Sequence, residues 1–109
     1  MFRGGRGGDS RHTPAYAEIA AAALTTLPQL LMRWFPNGEL IGHEWVARNP
    51  RRHDRHPGSF KINVMTGRWA DFATGDAGGD VISLAAYLFG LSQSEAARRL
   101  DEMLEADHA

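Results

Sequence analysis

The sequence predicts an α+β protein in which helices at both ends of the chain pack on a small antiparallel sheet. Apolar residues recur at helical spacing in 16–35 and again in 81–104. Between them, Phe60, Ile62 and Val64 alternate with polar residues, a pattern typical of a strand. With 109 residues, of which 43% are hydrophobic, the chain has the size of one domain. We expect a flexible Gly/Arg tail over 1–12 and a single domain over 13–109.

Two helices are predicted before the sheet. Thr13 is a good N-cap and Pro14 suits the first helical position, so the first helix should begin there. A second, short helix is expected over Pro28–Phe35, and the Pro-Asn-Gly sequence at 36–38 should end it in a turn.

The middle of the chain predicts the strands. Residues 40–47 are strand-like, although Gly42 interrupts their alternation. A hairpin should follow the loop at 49–58, with strands at 59–64 and 68–73 joined by a turn that ends at Gly67.

Two further helices are predicted after a glycine-rich bend at 75–79. Asp80 is placed to cap a helix that starts at Val81, and Gly90 is placed to close it. Ser92 and Glu95 have the spacing of a capping box for the last helix.

The composition excludes several classes of protein. The chain has no cysteine, which rules out disulfides, cysteine nucleophiles and cysteine-based zinc or iron–sulfur sites. It shows no signal peptide, and no run approaches the roughly 20 apolar residues of a membrane span. We therefore expect a soluble, cytoplasmic protein without membrane contact.

Charge is distributed unevenly along the chain. The net charge is −1, yet residues 33–70 hold seven basic and three acidic side chains, whereas 71–109 hold two and eight. A basic middle segment is typical of proteins that bind a polyanion, although a solvated loop can also be basic by chance. The candidate phosphate-binding residues are Arg48, Arg51, Arg52, Arg55, Lys61 and Arg68.

Trp69 lies beside Arg68 on the predicted return strand. An exposed tryptophan there would stack on a nucleic-acid base; the alternative is that Trp69 belongs to the core.

Other possible sites are less well supported. The Gly78-Gly79-Asp80 sequence before a helix suggests either an anion site or a turn that requires glycine. His53 and His56, with His43 ten residues before His53, could contribute to a zinc site, but a strong site needs three or four ligands at suitable spacing. The third possibility is a magnesium-dependent enzyme that uses three nearby carboxylates, Asp71, Asp76 and Asp80. We predict no catalytic residues, no metal and no cofactor.

Two stretches of the chain carry a family resemblance. The first, 49–64, reads N-P-R-R-H-D-R-H-P-G-S-F-K-I-N-V, and the second, 69–82, contains W-A-D-F-A-T-G followed by G-G-D-V-I. Gly90-Leu91-Ser92 and Glu95-Ala96 complete the pattern. In order and spacing the chain from Asn49 to Leu104 resembles the zinc-binding N-terminal domain of bacterial DnaG-type DNA primases and related phage and plasmid primase–helicase proteins.

The zinc ligands of that family are missing. Asn49 stands at the first cysteine, Arg52 or His53 at the histidine, and Phe72 and Gly75 at the C-x-x-C pair. The resemblance therefore implies a zinc-ribbon-like sheet without zinc. Its core should come instead from Phe72, Trp69 and the N-terminal helices packed on the hairpin. The catalytic primase domain is also absent from this sequence, so we expect no nucleotide polymerisation.

These observations predict a non-catalytic nucleic-acid-binding accessory module, linked to replication of a phage, plasmid or mobile element. Single-stranded DNA and a replication protein, helicase or primase, are the expected partners. The alternative is an interaction or inhibitory module that docks on a replication or host complex without binding DNA. Its candidate surface is the acidic side of the last helix, with Asp101, Glu102, Glu105 and Asp107.

Overall fold

The computed structural model describes residues 15–51 and 58–108, without the side chains of 106–108. Within that part the elements follow the order α1 (Tyr16–Thr25), α2 (Leu27–Trp34), β1 (Glu39–Ile41), β2 (Glu44–Ala47), β3 (Phe60–Asn63), β4 (Trp69–Asp71), β5 (Ala77–Gly78), α3 (Val81–Phe89) and α4 (Gln93–His108). The five strands form one antiparallel sheet in the order β1-β2-β3-β4-β5. The fold is α+β with helices flanking the sheet, as predicted.

One hydrophobic core joins the helices to one face of the sheet. Ala47, Phe60, Ile62 and Trp69 supply the strand side of the core, and all four are at most 5% exposed. The helical side comes from every helix: Ile19, Ala23, Leu27, Leu30, Leu31, Val81, Ile82, Leu84, Ala85, Ala86, Ala96, Ala97, Leu100 and Leu104. Burial of this apolar surface is the main stabilising contribution to the fold.

The region predicted as one strand over 40–47 is instead a hairpin. Gly42 adopts a positive φ of 63°, which reverses the chain between β1 and β2 because glycine carries no Cβ to oppose that conformation. Leu40 pairs with Trp45 and Ile41 with Glu44 across the turn. β5 was also not predicted, since its two residues lie within the glycine-rich bend.

The helix ends differ from the predictions in detail. Thr13 and Pro14 lie outside the described residues, and Ala15 is the N-cap of α1. Asp80 caps α3 as predicted and makes a full capping box with Ser83, while Gly90 at φ 65° closes the helix. Ser92 accepts a hydrogen bond from the Glu95 N–H at 3.1 Å. The second half of the predicted box is replaced, because the Glu95 carboxylate binds Arg98 and Arg99.

None of the helices in the described part of the chain is both long enough and apolar enough to span a bilayer.

Candidate nucleic-acid interface

The strand register places basic and aromatic side chains on the sheet face that points away from the core. Lys61 lies between the buried Phe60 and Ile62, so alternation turns it to this face, opposite Ala70 of β4. Arg68 and Phe72 flank β4 with the same parity as Ala70. We call this surface the open face; its described members include Glu44, Lys61, Asn63, Arg68, Ala70 and Phe72.

Phe72 is the exposed aromatic ring of the open face. Its side chain is 70% exposed, although phenylalanine is usually buried. Its N–H donates to the Ser59 carbonyl at 2.8 Å, which holds its backbone beside the start of β3. The Lys61 Nζ lies 5.6 Å from the ring centroid, within the range of a cation–π contact. In this arrangement a nucleic-acid base can stack on the Phe72 ring while its phosphate pairs with the Lys61 ammonium.

A shallow groove of about 820 Å³ runs along the open face beside Phe72. Small residues, Ala70, Ala77, Gly78 and Gly79, contribute to its lining, so planar groups can approach the backbone. The other lining residues are Glu44, Lys61, Asn63, Thr66, Arg68, Trp69 and Phe72. Cations outnumber the carboxylate among them, which favours an anionic ligand.

The predicted stacking role of Trp69 is wrong, because it required an exposed ring. Trp69 is 5% exposed, and its Nε1 donates to the Ser83 Oγ at 2.9 Å. Its ring centroid lies 4.7 Å from that of Tyr87 and 5.8 Å from that of Phe60. The alternative interpretation, a core aromatic, is confirmed.

The structure divides the predicted basic cluster. Arg48 is exposed directly after β2, and Lys61 and Arg68 lie on the open face. Arg51 is instead tied to α3: its Nη1 donates to the Tyr87 carbonyl at 2.6 Å, and its guanidinium lies 5.5 Å from the Tyr87 ring centroid. Since α3 packs on the core side of the sheet, Arg51 does not join the groove. Arg52 and Arg55 lie outside the described residues.

A buried polar network crosses the sheet beneath Phe72. Asn49 and Asp71 are both fully buried, and the Asn49 Nδ2 donates to the Asp71 Oδ2 at 2.6 Å and to the Tyr87 hydroxyl at 2.9 Å. The other carboxylate oxygen of Asp71 accepts the N–H groups of Ala73 and Thr74, at 2.8 and 3.3 Å. These bonds turn Asp71 inward and, through strand alternation, Phe72 outward.

The same network perturbs Tyr87. Burial raises the pKa of its hydroxyl, the hydrogen bond from Asn49 lowers it, and the bond that the hydroxyl donates to Asp76 at 2.8 Å raises it again. The net result is a raised pKa, so the hydroxyl remains protonated and able to donate at neutral pH.

The possible metal sites receive no support within 15–51 and 58–105. No three His, Asp or Glu side chains there are grouped to hold a metal ion. Asp71 belongs to the buried network and Asp80 caps α3, so the three carboxylates have separate partners. His53 and His56 lie outside the described residues.

The glycine bend before α3 is a packing requirement. The Asp80 carboxylate accepts the Ser83 N–H at 2.8 Å and so occupies the helix N-terminus that an anion would need. A Cβ at Gly78 would overlap the Trp69 indole nitrogen and the Ser83 hydroxyl, whereas one at Gly79 would meet open space.

Gly78→Ala is therefore expected to lower the free energy of unfolding by about 1–3 kcal/mol, the usual range for an overpacked core. Gly79→Ala is the matched control and should change stability by less than about 0.5 kcal/mol. Urea unfolding followed by tryptophan fluorescence measures both. Equal midpoints for the two variants would contradict the packing argument.

The acidic side of α4 is partly neutralised. Arg98 Nη1 binds Glu102 at 2.7 Å, while Glu105 is exposed. The arginines Arg98 and Arg99 lower the pKa of Glu95. The side chain of Asp107 is outside the described residues, and docking through this surface stays a prediction.

The prediction that Phe72 packs in the core is wrong, because its side chain is exposed; it is the functional candidate that the sequence pattern did not reveal. The alternation of the strand carried a signal, because Trp69 and Phe72 are three residues apart in one extended segment and therefore face opposite sides. Once hairpin pairing places Trp69 opposite the inward Ile62, Phe72 must point outward.

The comparisons with known proteins add no family assignment: no family model, curated protein or solved structure matches this chain.

Proposed function

We propose that the protein is a non-catalytic module that binds single-stranded nucleic acid on the open face of its sheet. The observation that carries the proposal is the exposed Phe72 ring with Lys61 beside it, in a groove whose lining also includes Arg68. Proteins that bind single strands without strong sequence preference combine a basic groove with aromatic side chains on which bases stack.

The direction of the ligand follows from the charges. Lys61 and Arg68 suit phosphates, while Glu44 at the β2 side of the groove repels them. We expect the sugar–phosphate backbone of the nucleic acid to lie along Lys61 and Arg68. Its bases should lie toward Phe72 and the small residues that line the groove. Arg48, exposed after β2, can add a further phosphate contact at the edge of the face.

The biological setting rests on the primase-like pattern alone. That pattern motivates single-stranded DNA as the first ligand to test and a role in replication of a phage, plasmid or mobile element. A helicase or primase is the corresponding protein partner. The open face supports binding to DNA and RNA equally, since its cations and its ring recognise features that both possess.

The test is the salt dependence of binding to a fluorescein-labelled 20-nucleotide single strand, measured by anisotropy. Each phosphate neutralised on a single strand contributes about −0.7 to the slope of log K against log salt. Lys61→Gln/Arg68→Gln should therefore reduce the magnitude of the slope by about 1.4 and weaken binding at low salt.

The matched control is Arg98→Gln/Arg99→Gln, which removes the same charge from α4, away from the open face. If the control reduced the slope as much as the open-face variant, the nucleic acid would be attracted by the charge of the whole protein and not by contacts on the open face. Absence of binding by the wild-type protein at low salt would refute the proposed function.

A further inference from the structure

A second groove lies among the helices and shares no lining residue with the open face. It has a volume of about 410 Å³ and lies between the end of α2, the end of α3 and one side of α4. We call it the helical groove; its lining residues are Trp34, Ala85, Phe89, Leu91, Ala96, Arg99, Leu100 and Met103. On α4 these follow the spacing 96, 99, 100 and 103, which forms one continuous stripe of a helix.

The helical groove exposes apolar surface. Phe89 is 54% exposed, and its ring packs edge-on against Trp34 with centroids 5.7 Å apart. Seven of the eight lining residues are apolar. A concave surface of this composition, with aromatic side chains, is typical of a binding site for an apolar side chain or a helix face.

The charges at the rim are positive. Arg99 lines the groove, and the Arg33 Nη1 contacts the Met103 Sδ at 3.5 Å, which places a second guanidinium at the same edge. Arg99 is ion-paired with Glu95, while Arg98 also binds Glu102, so Arg33 carries the larger share of the positive charge at this rim. The exposed acids Glu102 and Glu105 are not among the lining residues.

This charge pattern discriminates between possible occupants. The segment 1–14 of this chain carries three arginines and one aspartate, so it has the same positive sign as the rim. The two therefore repel each other. A second copy paired groove to groove would bring the guanidinium groups of two rims together. An acidic partner would gain charge-assisted hydrogen bonds from both arginines.

We propose that the helical groove binds an acidic, amphipathic peptide segment of a partner protein. Its apolar side chains insert between Trp34, Phe89 and Met103, and its carboxylates pair with Arg33 and Arg99. This site is independent of the open face, so the protein can hold nucleic acid and a protein partner on opposite sides.

The experiment is selection of a random 12-residue peptide display library on the immobilised full-length protein. Enriched peptides should combine large apolar residues with Asp or Glu. Measured by anisotropy with the synthesised peptides, Phe89→Glu and Arg99→Glu should each weaken binding by about tenfold or more, as for a central contact of an interface.

Controls separate this result from misfolding. Met65→Glu introduces the same charge at an equally exposed apolar side chain, 61% exposed on the turn after β3, and should leave peptide binding unchanged. Arg99→Lys should keep part of the affinity, and circular dichroism checks the fold of each variant.

Three outcomes would overturn the proposal: no enrichment, enrichment of basic peptides, or binding that the two groove variants do not weaken. A dimer in solution, by light scattering, that Phe89→Glu dissociates would assign the groove to a second copy instead. None of these outcomes affects the proposed function of the open face.

Discussion

Phe72→Ala is expected to weaken binding of a single-stranded oligonucleotide by about 5- to 150-fold while leaving the fold intact. Stacking of a base on an aromatic ring contributes about 1–3 kcal/mol, and every 1.4 kcal/mol is a tenfold change in affinity. Because Phe72 is 70% exposed, its removal opens no cavity and should change stability by less than about 0.5 kcal/mol. Anisotropy titration at fixed low salt measures the loss.

Two variants sharpen this prediction. Phe72→Trp should retain or increase affinity, since a larger ring stacks equally well. Phe89→Ala removes a second phenylalanine that is strongly exposed in the described part of the chain, 54% exposed but on the helical side, and should leave oligonucleotide affinity unchanged. Wild-type affinity in the Phe72→Ala protein would show that the ring does not contact the ligand.

Asp71→Ala is expected to lower the free energy of unfolding by about 1–3 kcal/mol. The change leaves the buried Asn49 amide with one fewer acceptor, whereas the N–H groups of the exposed Ala73 and Thr74 can bond to water instead. Each buried donor left without a partner costs about 1–3 kcal/mol. The loss of stability is measured as the shift of the denaturant unfolding midpoint, relative to the wild-type protein, at neutral pH.

Asp101→Ala is a suitable control, because this half-buried aspartate on α4 lies outside the network. It should shift stability by less than about 0.5 kcal/mol. Similar midpoints for the two variants would mean that the buried network contributes little. We also expect Asp71→Ala to weaken oligonucleotide binding, since Phe72 follows the residue that is no longer held inward.

Much of the fold follows from local patterns. The β3–β4 hairpin, α3 with its Asp80 cap and Gly90 end, and the short α2 were predicted within a few residues, because each has both a periodicity and an end signal. The β1–β2 hairpin was not predicted, since a single glycine in the eight-residue segment 40–47 indicates a bulge as readily as a reversal of the chain. Only pairing with neighbouring strands decides between them.

The candidate site was harder to predict than the fold. Clustering of arginines along the chain suggested one basic surface, yet Arg51 bonds to the Tyr87 carbonyl on the core side while Lys61 faces solvent. Which side of a sheet a residue faces depends on register, and exposure depends on where the helices pack. Both are properties of the tertiary structure, so Phe72 and Trp69 exchanged their predicted roles.

The three-residue spacing between Trp69 and Phe72 has a genetic consequence. One aromatic ring holds the sheet to α3 and the other meets solvent, so damage at the two positions should appear as two different phenotypes. Variants at 69 will be recovered as temperature-sensitive, and variants at 72 as defective at every temperature although the protein accumulates normally. Loss of one residue between the two positions would shorten the spacing to two and turn both rings to the same side of the strand.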